Sequence, residues 1–285
     1  MAIQNLKERV QNIINLPSLP SIAMDIISII DNPEVNINTL SKIISRDQIF
    51  ASRVLKVANS PFYSYPKTIS TIDFALTVLG FETVKEIIVS IAFTSHFKKY
   101  YIKDFDVNKF WAHSIMSSII SRELAKEINY KVRGEAFIAG LIHDVGIFVM
   151  SQFFNNEYKA LLELLESSNL NLLEAEERVY GATHADIGSW LFERWNFPSQ
   201  LVESVKNHHS PSITGNNPQL ATMLYYTEYL SCSKNINSLP LENSIPFIPD
   251  HLPILTFEHF TDLEKFYDKN QDFFKKEDDK VNIFI

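Results

Sequence analysis

The chain has 285 residues, of which 46% are hydrophobic and 12% aromatic, with seven glycines, one cysteine and a formal net charge of −8. That composition excludes a disordered chain and a disulfide scaffold, and it supplies enough apolar material for one large domain or two ordinary ones. The acidic balance argues against a broad electrostatic grip on phosphate backbones, so no nucleic-acid partner is expected.

The opening stretch MAIQNLKERVQNII carries charges within an amphipathic pattern and lacks the apolar core and cleavage site of a secretory signal. A cytoplasmic protein is expected, and the single Cys232 is expected to be a buried structural thiol. No uninterrupted apolar run reaches the roughly 18 residues of a bilayer span, because Ser95, His143 and Asp144 break the longest ones. No membrane span is therefore expected.

Helical periodicity then dominates. Ile22, Ile26, Ile29 and Ile30 recur at steps of three and four, as do Leu40, Ile43 and Ile44, and later Val84, Ile87, Ile88 and Ile91. The breaks fall where helices should stop: LPSLPS, DNPEVN and ANSPFYSYPKT separate these stretches, and Asn59 within the last of them is expected to take a left-handed turn conformation. Ser70 with Asp73 resembles a capping box that opens a further helix, and Gly80 closes it. The helix-turn-helix pattern around Gly80 has one lysine and two glutamates, so packing rather than DNA reading is expected of it.

The run HFKKYYIKDFD reads as a join. A second helical group begins near Val107 and continues through helices starting near Arg133, Asn156, Leu172, Thr183, Ser199 and Gln219. The stretch EAFIAGLIHDVGIFVM is one apolar helix interrupted by His143 and Asp144. A Pro- and Asn-rich segment follows, then a charged terminal helix from about Thr256. No apolar–polar alternation demands a sheet, so the fold class is all-α: an N-terminal helical bundle (1–106) packed on a second helical domain (107–233), with a C-terminal loop and helix (234–285).

Several polar residues share helix faces with core residues. His113 is in step with Met116, Ile120 and Leu124; His184 with Ile187 and Leu191; His208 with Leu201 and Val205; His209 with Val202 and Val205; Glu228 with Ala221 and Leu224. With His143 and Asp144 they make five imidazoles and two carboxylates directed inward from separate helices. Such groups need mutual partners: either a network of buried hydrogen bonds or a shared divalent cation, for which Fe, Mn, Zn or Ni suits imidazole and carboxylate donors. His96, His251 and His259 have no such companions and are expected on the surface or in linkers.

The order His113, His143–Asp144, then Glu228 resembles the signature of the HD superfamily of metal-dependent phosphohydrolases. LPSLPSIAMDIISIIDNPEVNINTLSKIISRDQIFASRVLKVANSPFY, ISTIDFALTVLGFETVKEIIVSIAF, AGLIHDVG, YGATHADIGSWLFERWNFP and VKNHHSP resemble HDOD domains, the HD-related output domains of bacterial signalling proteins, over about Leu16 to Ser233. The resemblance implies an HD-like second domain and regulation through protein or ligand contacts. A signalling protein partner and a small phosphorylated ligand follow as expected partners. The metal set it implies is His113, His143, Asp144, His184, His208, His209 and Glu228, retained or vestigial. The sequence departs from the active cyclic-dinucleotide phosphodiesterases of the HD-GYP branch. It has HDVGI where they have a lysine after the glycine, it lacks their glycine–tyrosine–proline motif, and it carries Glu228 where HD enzymes usually have aspartate. Hydrolysis of a phosphate ester would need a cationic group to hold the phosphate, for which Lys206 and Arg194 are the candidates.

Overall fold

The computed structural model describes residues 2–13, 21–29, 37–60, 63, 65–97, 105–211, 217–234, 260–278 and 281. Among them every regular element is a helix and there is no strand. In the first half these are α1 (Ala2–Gln11), α2 (Ser21–Ser28), α3 (Ile37–Ser45), α4 (Gln48–Ala58), α5 (Ile72–Leu79) and α6 (Phe81–Phe97). The second half has α7 (Val107–Glu127), α8 (Arg133–Ile142), α9 (Val145–Phe153), α10 (Asn155–Ser167), α11 (Leu172–Tyr180), α12 (His184–Arg194), α13 (Ser199–Lys206) and α14 (Pro218–Ser233), and α15 (Phe260–Asp278) follows.

The periodic residues are the packing faces. Ile22, Ile26, Leu40, Ile43, Ile44, Val84, Ile87, Ile88 and Ile91 are all buried, as α2 and α4 pack on α6 and α3 packs on α4 and α5. Ile30, His251 and His259 lie outside the described residues, as do most of the HFKKYY run, the side chain of His96 and the Pro/Asn-rich segment before α15.

Local chemistry sets the ends of these helices. Asp47 opens α4 by accepting from the Phe50 N–H at 2.9 Å. The cap of α5 is Thr71, whose hydroxyl oxygen accepts from the Phe74 N–H at 3.1 Å, not the expected Ser70. Three residues after Thr71 stands Phe74, which has no carboxylate, so the Ser70–Asp73 box does not form. Gly80 does close α5, at φ +87°, a region that strains residues with a Cβ.

Asn59 departs from expectation. Its φ is −86°, so it is not left-handed. Its side chain instead ties the loop together: Nδ2 donates to the Leu55 carbonyl at 2.7 Å and the Ile69 carbonyl at 2.8 Å, while Oδ1 accepts from the Ile69 N–H at 2.7 Å. Asn59→Ala removes that clasp and is expected to cost about 1–2 kcal/mol in urea unfolding, because the Ile69 groups lose two net hydrogen bonds.

The two helical groups meet through aromatic and ionic contacts. Phe97 of α6 lies 4.9 Å from Phe148 of α9 and 5.6 Å from Trp111 of α7, ring centre to ring centre. Farther along the same two helices, Arg122 of α7 donates to Glu86 of α6 at 2.7 Å. The first helix belongs to neither contact: α1 packs along α12, where Lys7 pairs with Glu193 and Arg194 donates to the Val10 and Ile13 carbonyls.

The stretch Arg133–Phe153 is apolar enough by length and mean hydropathy to cross a bilayer, but 89% of its apolar 18-residue window is buried inside the protein, where the stretch forms α8 and α9. Cys232 on α14 is half-buried instead of fully buried, and burial raises its thiol pKa.

Candidate metal centre

The cluster is made possible by small residues. Helix α7 turns Ser114, Ser117, Ser118 and Ser121 inward, all fully buried, and Gly140 of α8 lies so close that a Cβ there would sit 2.6 Å from the Ser117 carbonyl oxygen. This approach sets His113 against the end of α8, where His143 and Asp144 form the turn into α9. Gly146, in the first turn of α9, then touches the backbone at the start of α12: a Cβ would fall 1.9 Å from the His184 carbonyl oxygen.

Helix α12 starts at His184 because Thr183 and Asp186 form a capping box in front of it. As the first helical residue, His184 has a backbone N–H with no intrahelical acceptor. Glu176 of α11 takes it: Oε2 accepts from that N–H at 2.9 Å, while Oε1 accepts from the ring Nδ1–H at 2.8 Å. One buried carboxylate thus fixes both the helix start and the imidazole plane.

Two more rings are held in the same way. The Nδ1–H of His143 donates to the Gly140 carbonyl at 2.8 Å, and that of His208 to the Val205 carbonyl at 2.5 Å. All three rings therefore direct Nε2 into the cluster.

All seven residues singled out in the sequence come together there. Asp144 Oδ2 is 3.1 Å from His143 Nε2 and 3.3 Å from His113 Nε2, while its Oδ1 is 3.4 Å from His184 Nε2 and 3.6 Å from His208 Nε2. Glu228 Oε1 is 2.7 Å from His143 Nε2 and 3.3 Å from His113 Nε2; His209 Nε2 is 2.8 Å from His184 Nε2. Two four-donor groups result, His113–His143–Asp144–Glu228 and Asp144–His184–His208–His209, each with its donor atoms within 4.8 Å of one another and with Asp144 in common.

The donor atoms fit a metal better than they fit one another. Both oxygens of Asp144, Glu228 Oε2 and His209 Nδ1 are buried without a hydrogen-bond partner, a costly state unless something else satisfies them. Two donors bound ~2.1 Å from one ion sit roughly 3.0–3.4 Å apart, which is the range of most spacings here and is long for a hydrogen bond.

Electrostatics shift the proton affinities of several cluster residues in the metal-free protein. Burial opposes a charged His143, but the Asp144 and Glu228 carboxylates outweigh it and push the ring up to about 9. At His184 burial is likewise outweighed, by Glu176 and Asp144, and the value rises to about 10. Burial, together with neighbouring imidazoles, lowers His208 and His209. For Asp144 and Glu228 burial works toward a higher pKa, yet the adjacent histidines prevail and both carboxyls are lowered.

A metal must displace the protons on His143 and His184. Metal affinity is therefore expected to rise as pH climbs toward about 9–10, with protons released on binding near neutrality. Calorimetry in buffers of differing ionisation enthalpy checks this. In the metal-free protein the His143 contribution to stability is complete below the unfolded value of ~6.5 and is lost as pH rises through about 9. The lowered carboxyls act in the opposite sense: their contribution is present above their unfolded values and fades on acidification.

Glu176 is the residue that reading the helix faces passes over. It stands four residues after Leu172 and four before Tyr180, in step with the buried side of α11. That spacing was the available signal for a buried acid. Glu176→Gln is expected to weaken metal binding by about 10–100-fold while leaving the helices intact, as read by metal titration alongside circular dichroism.

The two candidate phosphate-holding cations are not confirmed in that role. Arg194 is committed to the Val10 and Ile13 carbonyls at the end of α1 and just beyond it, with donor distances of 3.2–3.3 Å. Lys206 is exposed in the last turn of α13, where its charge suits the helix end. Ile147, where the HD-GYP branch has lysine, is buried at 2% exposure.

The HDOD domain family matches residues 16–211, and the chain belongs to that family. Its fold is that of an HDOD domain protein with unknown function from Geobacter sulfurreducens, with a TM-score of 0.81 at 21% identity over 98% of this chain and 99% of that one. A protein from Shewanella amazonensis SB2B, provisionally named a phosphohydrolase, superposes with a TM-score of 0.73 at 21% identity over 99% of this chain and 96% of its own. One from Marinobacter aquaeolei VT8, provisionally named a signal transduction protein, gives 0.71 at 20% identity over 99% of this chain and 64% of its own. A curated relative from Treponema pallidum (strain Nichols), described as uncharacterized, is 24% identical over 197 residues, which span 69% of this chain but only 38% of that relative.

Proposed function

We propose that this chain is a regulatory HDOD module of a cytoplasmic signalling pathway, which engages a protein partner or small ligand and holds divalent metal in its second helical group. The observation that carries this reading is the complete seven-residue cluster, with Asp144 facing both halves, beside a buried Ile147 where a phosphate-holding lysine would stand. His113, His143, Asp144 and Glu228 would hold one ion, and Asp144, His184, His208 and His209 another. A bound divalent ion would supply Lewis acidity and lower the pKa of a coordinated water toward ~7. The chain's own groups do the rest: Glu176 and the Gly140 and Val205 carbonyls orient the rings, and the buried carboxylates balance charge in a site largely closed to water.

Elemental analysis of freshly purified protein should find stoichiometric Fe, Mn, Zn or Ni, and a pull-down under folding conditions should recover a stoichiometric partner. Protein free of metal, and unable to take up any added, would remove the metal half of the reading. Recovery of no partner or ligand would remove the regulatory half.

The place of Asp144 in both donor sets also favours a second reading, a metal-dependent phosphohydrolase acting on a nucleotide or other phosphate ester, since divalent metal held there would offset charge on phosphoryl oxygens. Protein loaded with Mn or Fe that turns over no member of a broad phosphate-ester panel would end that reading without touching the metal.

A further inference from the structure

A cleft of about 440 Å³ opens in the N-terminal helical group, and none of the seven cluster residues lines it. It is bounded by α2, the end of α3, the start of α4 and Ser95 near the end of α6. Its volume lies in the range of small-ligand sites.

Its floor is apolar. Ile22, Ile43 and Phe50 line the cleft and keep 7–8% exposure, whereas Ile26, Ile44 and Val54, on the same three helices, are at 0%. The floor residues are the ones left reachable.

The rim carries two carboxylates and two guanidinium groups, and among the described residues only Asp25 and Arg46 pair with each other. Asp47 has its Oδ1 on the Phe50 N–H at the start of α4, which holds the carboxylate at that helix end. Asp25 meets Arg46 at 3.4 Å, a long contact that engages one guanidinium nitrogen. Among the described residues Arg53 forms no ion pair, and it stands three positions after Phe50 on the same side of α4. Ser21 and Ser95 add hydroxyl groups to the wall. Two guanidinium groups over an apolar floor, with one of them unmatched, match a flat apolar body that carries a negative head, because guanidinium donates in pairs to phosphate or carboxylate.

We propose that this cleft binds a small organic anion, with its phosphate or carboxylate between Arg46 and Arg53 and its apolar body on Ile22, Ile43 and Phe50. The site is separate from the metal-capable cluster, and α6, which lines the cleft through Ser95, also packs on α8.

Isothermal titration of the full chain tests this, with naphthyl phosphate, naphthoate and naphthol as probes and EDTA present so that the metal-capable cluster takes no part. Saturable binding of either anion below about 1 mM, with naphthol at least tenfold weaker, is expected, and the tighter anion names the head group. Arg53→Gln and Arg46→Gln should each weaken it about tenfold without changing the thermal midpoint, since both side chains are exposed. The proposal is overturned if neither anion saturates, if naphthol binds equally well, or if both variants keep full affinity.

Discussion

Asp144→Asn is expected to lower the affinity of both halves of the cluster at once. The carboxylate offers Oδ2 toward His113 and His143 and Oδ1 toward His184 and His208, so a neutral amide leaves each half one anionic donor short. The loss should exceed that of a residue which only orients a ligand, at ~100-fold or more in affinity. His113→Ala makes the contrast, because it touches one half alone and should leave the other able to take up metal. Metal-to-protein ratios after dialysis distinguish the two variants. A wild-type ratio in Asp144→Asn would show that the carboxylate is not shared.

Gly146→Ala is expected to be the most disruptive single methyl in the cluster's surroundings. The added Cβ would meet the His184 carbonyl oxygen at 1.9 Å, and the obstacle is backbone at the start of a helix, which cannot rotate away. Relief requires moving α9 from α12, at a cost of about 3 kcal/mol or more in stability. His184 moves with its helix, so metal uptake should fall as well. Gly188→Ala is the control: its nearest neighbour is a Val205 side-chain methyl at 3.3 Å, and a shift of a few tenths of an ångström accommodates it. Denaturant unfolding of the pair should separate them widely; similar midpoints would mean that the α9–α12 contact is looser than described.

Much of this was legible in the sequence because burial in helices leaves a periodic trace. The steps of three and four that marked Ile22, Leu40, Val84 and their partners as packing faces also placed His113, His184, His208 and Glu228 inward, and no other pattern competes with a helix in those stretches. Side-chain geometry at the ends of helices was less readable. Ser70 and Thr71 are both good caps, and which one is used depends on where α5 meets its neighbours. Asn tolerates left-handed turns, so the sequence around Asn59 suggests a backbone role, while its amide makes a contact ten residues away that no local rule encodes. Glu176 escaped for a different reason: a lone acid on an amphipathic helix is ordinarily solvated, and only its contact with His184 across the bend between α11 and α12 gives it a role. Arg194 looked available for a phosphate because its partners are main-chain oxygens, which leave no mark in a sequence.

The turn between α8 and α9 is two residues long, and both residues face the same interior. His143 serves one half of the cluster and Asp144 serves both, so any displacement of this bend disturbs the two donor sets together. A substitution that shifts the bend without removing a donor is accordingly expected to change metal uptake in both halves at once.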